Sequence, residues 1–422
     1  MTLRYARRSV SHWMVRLALI TAFALTGLMP LVTRADNAPA PPAQPPSSTT
    51  ATPVAATTGT DTMTSFLALA PDILATNGQN DALIMQFGDA KAQLDAVGMK
   101  TPATAEGNAF RDWMSATRGV ALPDLVLRNG LRPEFSDAFG FDLLQVDAGM
   151  VVGAPPATIT YLRGRFDEDT LRSAWQKSGY KEVDAGGQQV FSLSAEPTVS
   201  LDNPIGQMAL AAANNAAILP DGTVVFTPSL DLMRQVVAVV QGAKPSLAQN
   251  PQIGSLVSSL AEPLVSAFLL GGNALTLDRL VSGAGAPPEV FTKVKGEVEA
   301  TGKLAPVKLA LFGVTAGGPL MPVQGGGTPI ATERAADFVI ELLMADQQAA
   351  QAATQIIPKR LASLDSIRTR QPYTDLVTLH KIDVAPDAPV VAIHLDFAAD
   401  RPPATWTTMV SSNDLLFLAW EA

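Results

Sequence analysis

Apolar and polar positions follow two rhythms along this chain. The run Ala82-Leu83-Ile84-Met85-Gln86-Phe87, bounded by Asp81 and Gly88, reads as a buried strand. Positions 89–97 and 105–117 carry helical spacing, and Gly98 is placed to stop the first. Between Gly119 and Pro156 the pattern breaks at Pro123, Gly130, Pro133, Gly140 and Pro155-Pro156, which predicts mostly irregular chain. Thr158 to Leu162 is a strand by its β-branched and aromatic content. Asp167 caps a helix to Ser178 whose Leu171, Ala174, Trp175 and Ser178 share one face, and Gly179 ends it. Two hairpins follow, 180–184 with 188–193 around Gly186-Gly187, and 216–219 with 223–227 around Pro220-Asp221-Gly222. A helix over 229–240 has Ser229 as its N-cap.

The apolar tract Leu256 to Leu277 is long enough to raise the question of a membrane span. Glu262-Pro263 in its interior argues for a helix to Ala261 and a buried strand over 265–270 instead. Beyond it, 337–343 is a strand and 346–366 a helix kinked at Pro358. Segments 376–384 and 390–397 form a hairpin, 404–411 a short helix, and 415–420 a closing strand. Strand, helix, strand, strand, helix, strand is the ferredoxin-like order. The fold expected is therefore α+β: two mostly antiparallel sheet layers with helices on one face, the C-terminal half ferredoxin-like.

The Gly- and Pro-dense stretch Gly317 to Ala331 reads as a linker. It divides an N-terminal α+β domain, 62–316, from a C-terminal one, 332–422. The N-terminus has a different character. Arg4, Arg7, Arg8 and Arg16 precede the uncharged stretch Leu17 to Val32, and Thr33-Arg34-Ala35 offers small residues for cleavage after Ala35. Basic, apolar and small segments in that order are the signature of a secretory signal peptide over 1–35. Arg7-Arg8 also admits a twin-arginine export signal, which its neighbours match only in part. Residues 36–61, rich in Pro, Ala, Thr and Ser, cannot bury a core and read as a disordered tether. The expectation is an extracytoplasmic protein, secreted or associated with a bacterial cell envelope.

Losing the leader removes five arginines and no acid, so the formal charge moves from −9 to −14. Such a chain repels phosphate backbones and anionic lipid, which argues against nucleic acid and tight membrane-surface binding. The chain contains no cysteine. That removes disulfides, thiolate metal sites and a cysteine nucleophile from consideration.

The remaining chemistry is sparse. His380 and His394 lie on the two arms of the C-terminal hairpin. If paired positions sum to 774 they face each other, ~5 Å between Cβ atoms, with Asp396 and Thr378 flanking them. Two histidines and the carboxylate of Asp396 make a candidate divalent-cation site that one residue of register slip destroys. Ser255 lacks the second glycine of a nucleophile elbow, and Ser178-Gly179-Tyr180-Lys181 sits at the wrong end of its helix for a serine–lysine pair. Asp167, Glu168 and Asp169 suit a helix start, and Asp137, Asp142 and Asp147 are too irregularly spaced for a calcium loop. No motif calls for a cofactor. The function these features suggest is a tethered, non-catalytic envelope protein with a binding or structural role, its partner an envelope component or an apolar small molecule. One alternative is a carrier of apolar ligands, with a cavity between the 256–277 tract and the Ala-rich 208–217 stretch. A second is a secreted hydrolase that uses carboxylates.

Overall fold

The computed structural model describes residues 59–74, 83–284, 288–318, 336–398 and 402–421. The leader, nearly all of the tether and most of the 317–331 segment lie outside them. Chain order begins with α1 (Gly59–Leu67), which buries Met63, Phe66 and Leu67 at helical spacing, and β1 (Leu83–Asp89). The Asp89 carboxylate accepts the Ala92 N–H at 2.8 Å and so caps α2 (Ala90–Ala96). Next come α3 (Gly107–Thr117), α4 (Asp124–Asn129), α5 (Pro133–Phe139), β2 (Val146–Val152) and β3 (Ile159–Gly164).

The 119–156 stretch, expected to be irregular, thus holds two short helices and a strand. Its glycines and prolines are boundaries and contacts rather than breaks. Pro133 opens α5, and Gly140 closes it at φ 81°. Gly149 lies within β2 because a Cβ there would come 2.6 Å from Pro123 Cδ. β2 is buried along nearly its whole length, so it lacks the alternation that marks a half-buried strand.

The chain continues through α6 (Glu168–Lys177), β4 (Lys181–Asp184), β5 (Gln189–Ser192), α7 (Pro204–Ala209), β6 (Asn215–Ile218), β7 (Val224–Thr227) and α8 (Leu230–Val240). Asp167 accepts from Thr170 N at 2.8 Å and Ser229 from Leu232 N at 3.3 Å, the two caps the sequence predicts. Then follow α9 (Pro251–Ser259), β8 (Leu264–Gly271), α10 (Leu277–Gly283), α11 (Pro288–Ala300), β9 (Val307–Thr315), β10 (Phe338–Met344), α12 (Gln347–Ser363), β11 (Val377–Val384), β12 (Val390–Phe397) and α13 (Thr405–Ser411). α12 runs through Pro358.

The fold is mixed α and β, built on one twelve-stranded sheet and not on two layers. The strand order is β11-β12-β10-β9-β8-β1-β2-β3-β7-β6-β5-β4, and every pairing is antiparallel. β9 and β10, on either side of the 317–331 segment, are direct neighbours in that sheet. Residues 62–316 and 332–422 therefore share one sheet within one compact unit. From the central β1–β8 pair outward, β2, β3, β7, β6, β5 and β4 follow on one side and β9, β10, β12 and β11 on the other.

Helices cover both faces, not one. α1, α8 and α9 pack on one face through Met63, Phe66, Met233, Val236, Ile253 and Leu256. The other helices pack on the opposite face, with Trp175, Ile357 and Trp406 among their anchors. β8, β9 and β10 are accordingly near-continuous apolar runs, since no face is left for water. In the C-terminal part, β10, α12, β11, β12 and α13 occur in the expected order. The expected closing strand is instead a 3-10 turn, Leu416–Leu418, and only Trp420 makes a single bridge, to Thr276. The free side of β10 is already occupied by β9, which leaves that segment no edge to join. The C-terminus is tied down by the buried Arg360, which donates to Thr301 Oγ1 at 3.0 Å, to Gly302 O at 2.7 Å and to Ala419 O.

Candidate functional site

Along the α9-covered face of β10, the residues Val339, Glu341 and Leu343 point the same way. Glu341 is the exception in that apolar row: it is 1 % exposed and sits across from Leu311 on β9 and Ala392 on β12. Asp337 heads the same row, and His394 lies opposite Val339 between them. His394 Nδ1 is 2.7 Å from Asp337 Oδ2, and Asp337 N–H donates to Thr315 Oγ1 at 3.0 Å. At the other end, Glu341 Oε2 is 3.0 Å from Ser259 Oγ in the last turn of α9. The result is a polar line, Asp337, His394, Glu341, Ser259, set into an apolar interface.

Ser259 Oγ bridges a backbone carbonyl and the buried carboxyl group. Ser259 Oγ is 2.8 Å from Leu256 O, a carbonyl that can only accept. The same hydroxyl also donates toward Glu341 Oε2 at 3.0 Å, so its one proton has two acceptors within reach. Burial pushes Glu341 up to about 7, against the opposing effects of the Ser259 hydrogen bond and nearby His394. The Asp337 hydrogen bond raises His394 above the usual histidine range, against the opposing effect of burial.

The histidine pair expected across the hairpin takes a different form. Up to Leu379↔Leu395 the register follows the predicted sum; a bulge at His380 then shifts it, and His394 pairs with Lys381. His380 Nδ1 approaches Asp396 Oδ2 at 3.9 Å on the exposed surface, while His394 turns to Asp337. These are two separate imidazole–acid pairs. Among the described residues, no three histidine or acidic side chains converge as metal ligands.

The other residues weighed from sequence have local partners. Ser178 donates to Ala138 O at 3.1 Å and Ser255 to Pro251 O at 2.9 Å. Asp142 caps a 3-10 turn through Gln145 N at 3.2 Å, and Asp147 pairs with Arg165 at 3.5 Å. The two apolar stretches assigned to one cavity do not meet. β8 and β6 stand five strand positions apart, about 24 Å at the usual spacing. The seam under α9, bounded by Met63, Met85, Leu256 and Leu311, has room for about 10 Å³, what one water needs.

Glu341 carries a sequence signal that pattern reading passed over: a lone carboxylate inside the apolar run Phe338-Val339-Ile340-Glu341-Leu342-Leu343-Met344. A second missed feature is at the surface. Among the described residues, the exposed large apolar side chains concentrate at Leu127, Leu131, Val199, Leu201 and Leu210, between 42 % and 62 % exposed. Asn129 Nδ2 donates to Met208 O at 3.2 Å and Gln207 Nε2 to Leu201 O at 2.8 Å, which ties these segments together around α4 and α7. Leu210 occupies the first central position of a turn closed by Ala212 N to Ala209 O at 3.0 Å. Its φ of 52° and ψ of −125° are those of a type II′ turn, a position that favours glycine.

Compared with protein-family models, curated proteins and solved structures, the chain matches none.

Proposed function

We propose that this chain is an exported, tethered, non-catalytic binding protein of a bacterial cell envelope, and that it binds a protein partner through the aliphatic patch around α4 and α7. The carrying observation is the concentration of exposed leucine and valine at Leu127, Leu131, Val199, Leu201 and Leu210. Contiguous apolar surface on a folded protein marks interaction sites. Leu210 sharpens the point, because a bulky side chain at φ 52° costs stability and is still 58 % exposed.

Charge favours a protein as the occupant. A chain at −9, or −14 without residues 1–35, is repelled by anionic lipid. The patch is bordered by two ion pairs, Arg128–Asp124 at 2.9 Å and Arg132–Glu134 at 3.6 Å. A mixed-sign rim around an aliphatic centre is the anatomy of a protein–protein interface. Export and tethering rest on the Arg-rich head, the apolar core and the Pro-rich run that follows.

The test has two parts. N-terminal sequencing of protein from the envelope fraction of its host is expected to begin at or near Asp36; an intact leader on cytoplasmic protein overturns the export reading. A photo-crosslinking residue at position 201 is expected to give one discrete protein adduct that Leu127→Asp abolishes. The same probe at Arg234, exposed on the opposite face, is expected to give none. Adducts to lipid, to a second copy of the chain, or equally from both positions overturn the protein-partner reading.

A further inference from the structure

We propose that the free edge of β11 is a dimer interface: a second copy of the chain adds its own β11 there, antiparallel about a two-fold axis at Ile382, and continues the sheet.

β11 is the last strand at one end of the sheet, and among the described residues no strand pairs with its outer edge. The pairing with β12 fixes which backbone groups that edge presents. Ala385 N–H donates to Val390 O at 2.9 Å, in the register of Val384↔Val391. Antiparallel pairs alternate between bonded and non-bonded, so Asp383 and Lys381 turn their N–H and C=O inward, to Ala392 and His394. Ile382 and Val384 turn theirs outward. The far side of β12 has the same phase: Met344 N–H donates to Pro389 O at 2.8 Å, which assigns Val391 and Ile393 to β10 and leaves Ala392 and His394 to β11.

An outward-facing residue on the axis lets two copies exchange both backbone hydrogen bonds, and a two-fold contact must be complementary to itself. With Ile382 opposite its own copy, Lys381 of each chain falls directly opposite Asp383 of the other. These are the close, non-bonded pairs, ~4.5 Å between Cα atoms, where opposite charges attract. Both side chains are exposed on one face, and within the strand they already meet at 2.5 Å. On the other face Leu379, Ile382 and Val384 are only partly buried, and a second strand laid against them extends that apolar row across the axis.

The helix beside this edge has a matching surface. α12 packs over β11 and carries no charged side chain from Gln347 to Pro358. Its exposed residues there are Gln347, Gln348, Gln351, Ala352 and Gln355. Depletion of charge is the compositional mark of an interface core.

Edge strands are usually guarded by lysine or by a bulge. Here Lys381 is paired by Asp383, and the bulge falls at His380, outside the 381–384 stretch. The other end of the sheet is built to refuse such a contact. β4 has four residues, with Lys181, Glu182 and Asp184 exposed. A two-fold placed on any of the four sets like charges opposite each other: lysine on lysine at Lys181, acid on acid at the rest. The β11 edge is also separate from the α4–α7 patch, since α7 joins β5 to β6 near the β4 end.

The chain has no cysteine, so one introduced thiol reports the contact. Sedimentation equilibrium of the full mature chain is expected to show monomer and dimer. Ile382→Cys is expected to give a covalent dimer with a short bis-maleimide, and Glu182→Cys on β4 none. Lys381→Asp sets acid against acid at both pairs and is expected to weaken the dimer about tenfold or more. Adding Asp383→Lys returns opposite charges and is expected to restore the affinity. Both side chains are exposed, so the charge variants keep the fold. A monomer at every concentration, a dimer indifferent to Lys381→Asp, no recovery in the double variant, or crosslinking from position 182 as strong as from 382 overturns the proposal.

Discussion

His394 on β12 and Asp337, just before β10, form a hydrogen-bonded pair at 2.7 Å, with His394 opposite Val339, two residues from the buried Glu341. Both His394 and Glu341 bind protons more tightly in the folded chain than in the unfolded one, His394 through the Asp337 bond and Glu341 through burial. A raised folded-state pKa gives stability that is full below the unfolded value and is lost as pH rises through the folded one. For Glu341 that window runs from 4.5 to about 7, and for His394 from 6.5 upward. Buried Asp89, raised mainly by desolvation, acts in the same direction from 3.8 upward.

The protein is therefore expected to be more stable at pH 5.5 than at pH 8. The Glu341 contribution to that loss is roughly 3 kcal/mol at most. Urea unfolding at a series of pH values measures it, and Glu341→Gln is expected to flatten most of the slope. A stability that rises from pH 5.5 to 8 contradicts this assignment of protons.

Arg360 is expected to be among the costliest single positions to alter. It is 1 % exposed, yet its donors reach three acceptors on two segments, and burial lowers its pKa to about 10. Arg360→Met keeps most of the volume and strands those acceptors, a loss of roughly 3 kcal/mol or more. Arg360→Lys is expected to recover only part of it, because an ammonium cannot span the three oxygens. Denaturant midpoints of the two variants make the comparison.

Two glycines are expected to respond in opposite directions to alanine. A Cβ at Gly272 would lie 1.7 Å from Val307 O, a backbone atom, so Gly272→Ala is expected to cost roughly 1–3 kcal/mol. Gly254 in α9 has nothing within 4 Å, and Gly254→Ala is expected to stabilise by roughly 0.5–1 kcal/mol through helix propensity. Thermal unfolding of both variants reads the signs. The second substitution is also expected to slow exchange in α9.

Leu210→Gly separates stability from binding. It relieves the φ of 52° at a turn position that favours glycine, so a gain of roughly 1 kcal/mol is expected. The same change removes an exposed leucine from the α4–α7 patch and is expected to weaken the crosslink formed from position 201. A stabilised variant with undiminished crosslinking places the binding face elsewhere.

The sequence showed its helix starts and hairpins where one side chain decides the outcome. Asp167 and Ser229 each cap the helix predicted for them, and Asp346, read as the first residue of its helix, caps it by accepting Ala349 N at 2.8 Å. The 376–384 and 390–397 arms pair as antiparallel strands, as expected. Less legible were features set by distant partners. β2 is buried on both faces and shows no alternation. The Leu416–Leu418 turn replaces a strand because β9 already fills the edge of β10. The bulge at His380, which rearranged the histidine pair, is a shift of one residue that no local pattern records. Glu341 was hidden by its company: inside an apolar strand it reads as one more buried position, and its hydrogen-bond donor is a serine on a helix 82 residues away.

The β1–β8 pair has a consequence for how the chain is made. β1 pairs with β2 on one edge, but its other edge waits for residues 264–271, nearly the whole of α2 through α9 later. During that interval Leu83 to Phe87 presents an unpaired apolar edge, the kind of surface that recruits other chains. A chain stopped before residue 264 is therefore expected to aggregate rather than fold as a small domain, because the β8 edge of β1 stays unpaired.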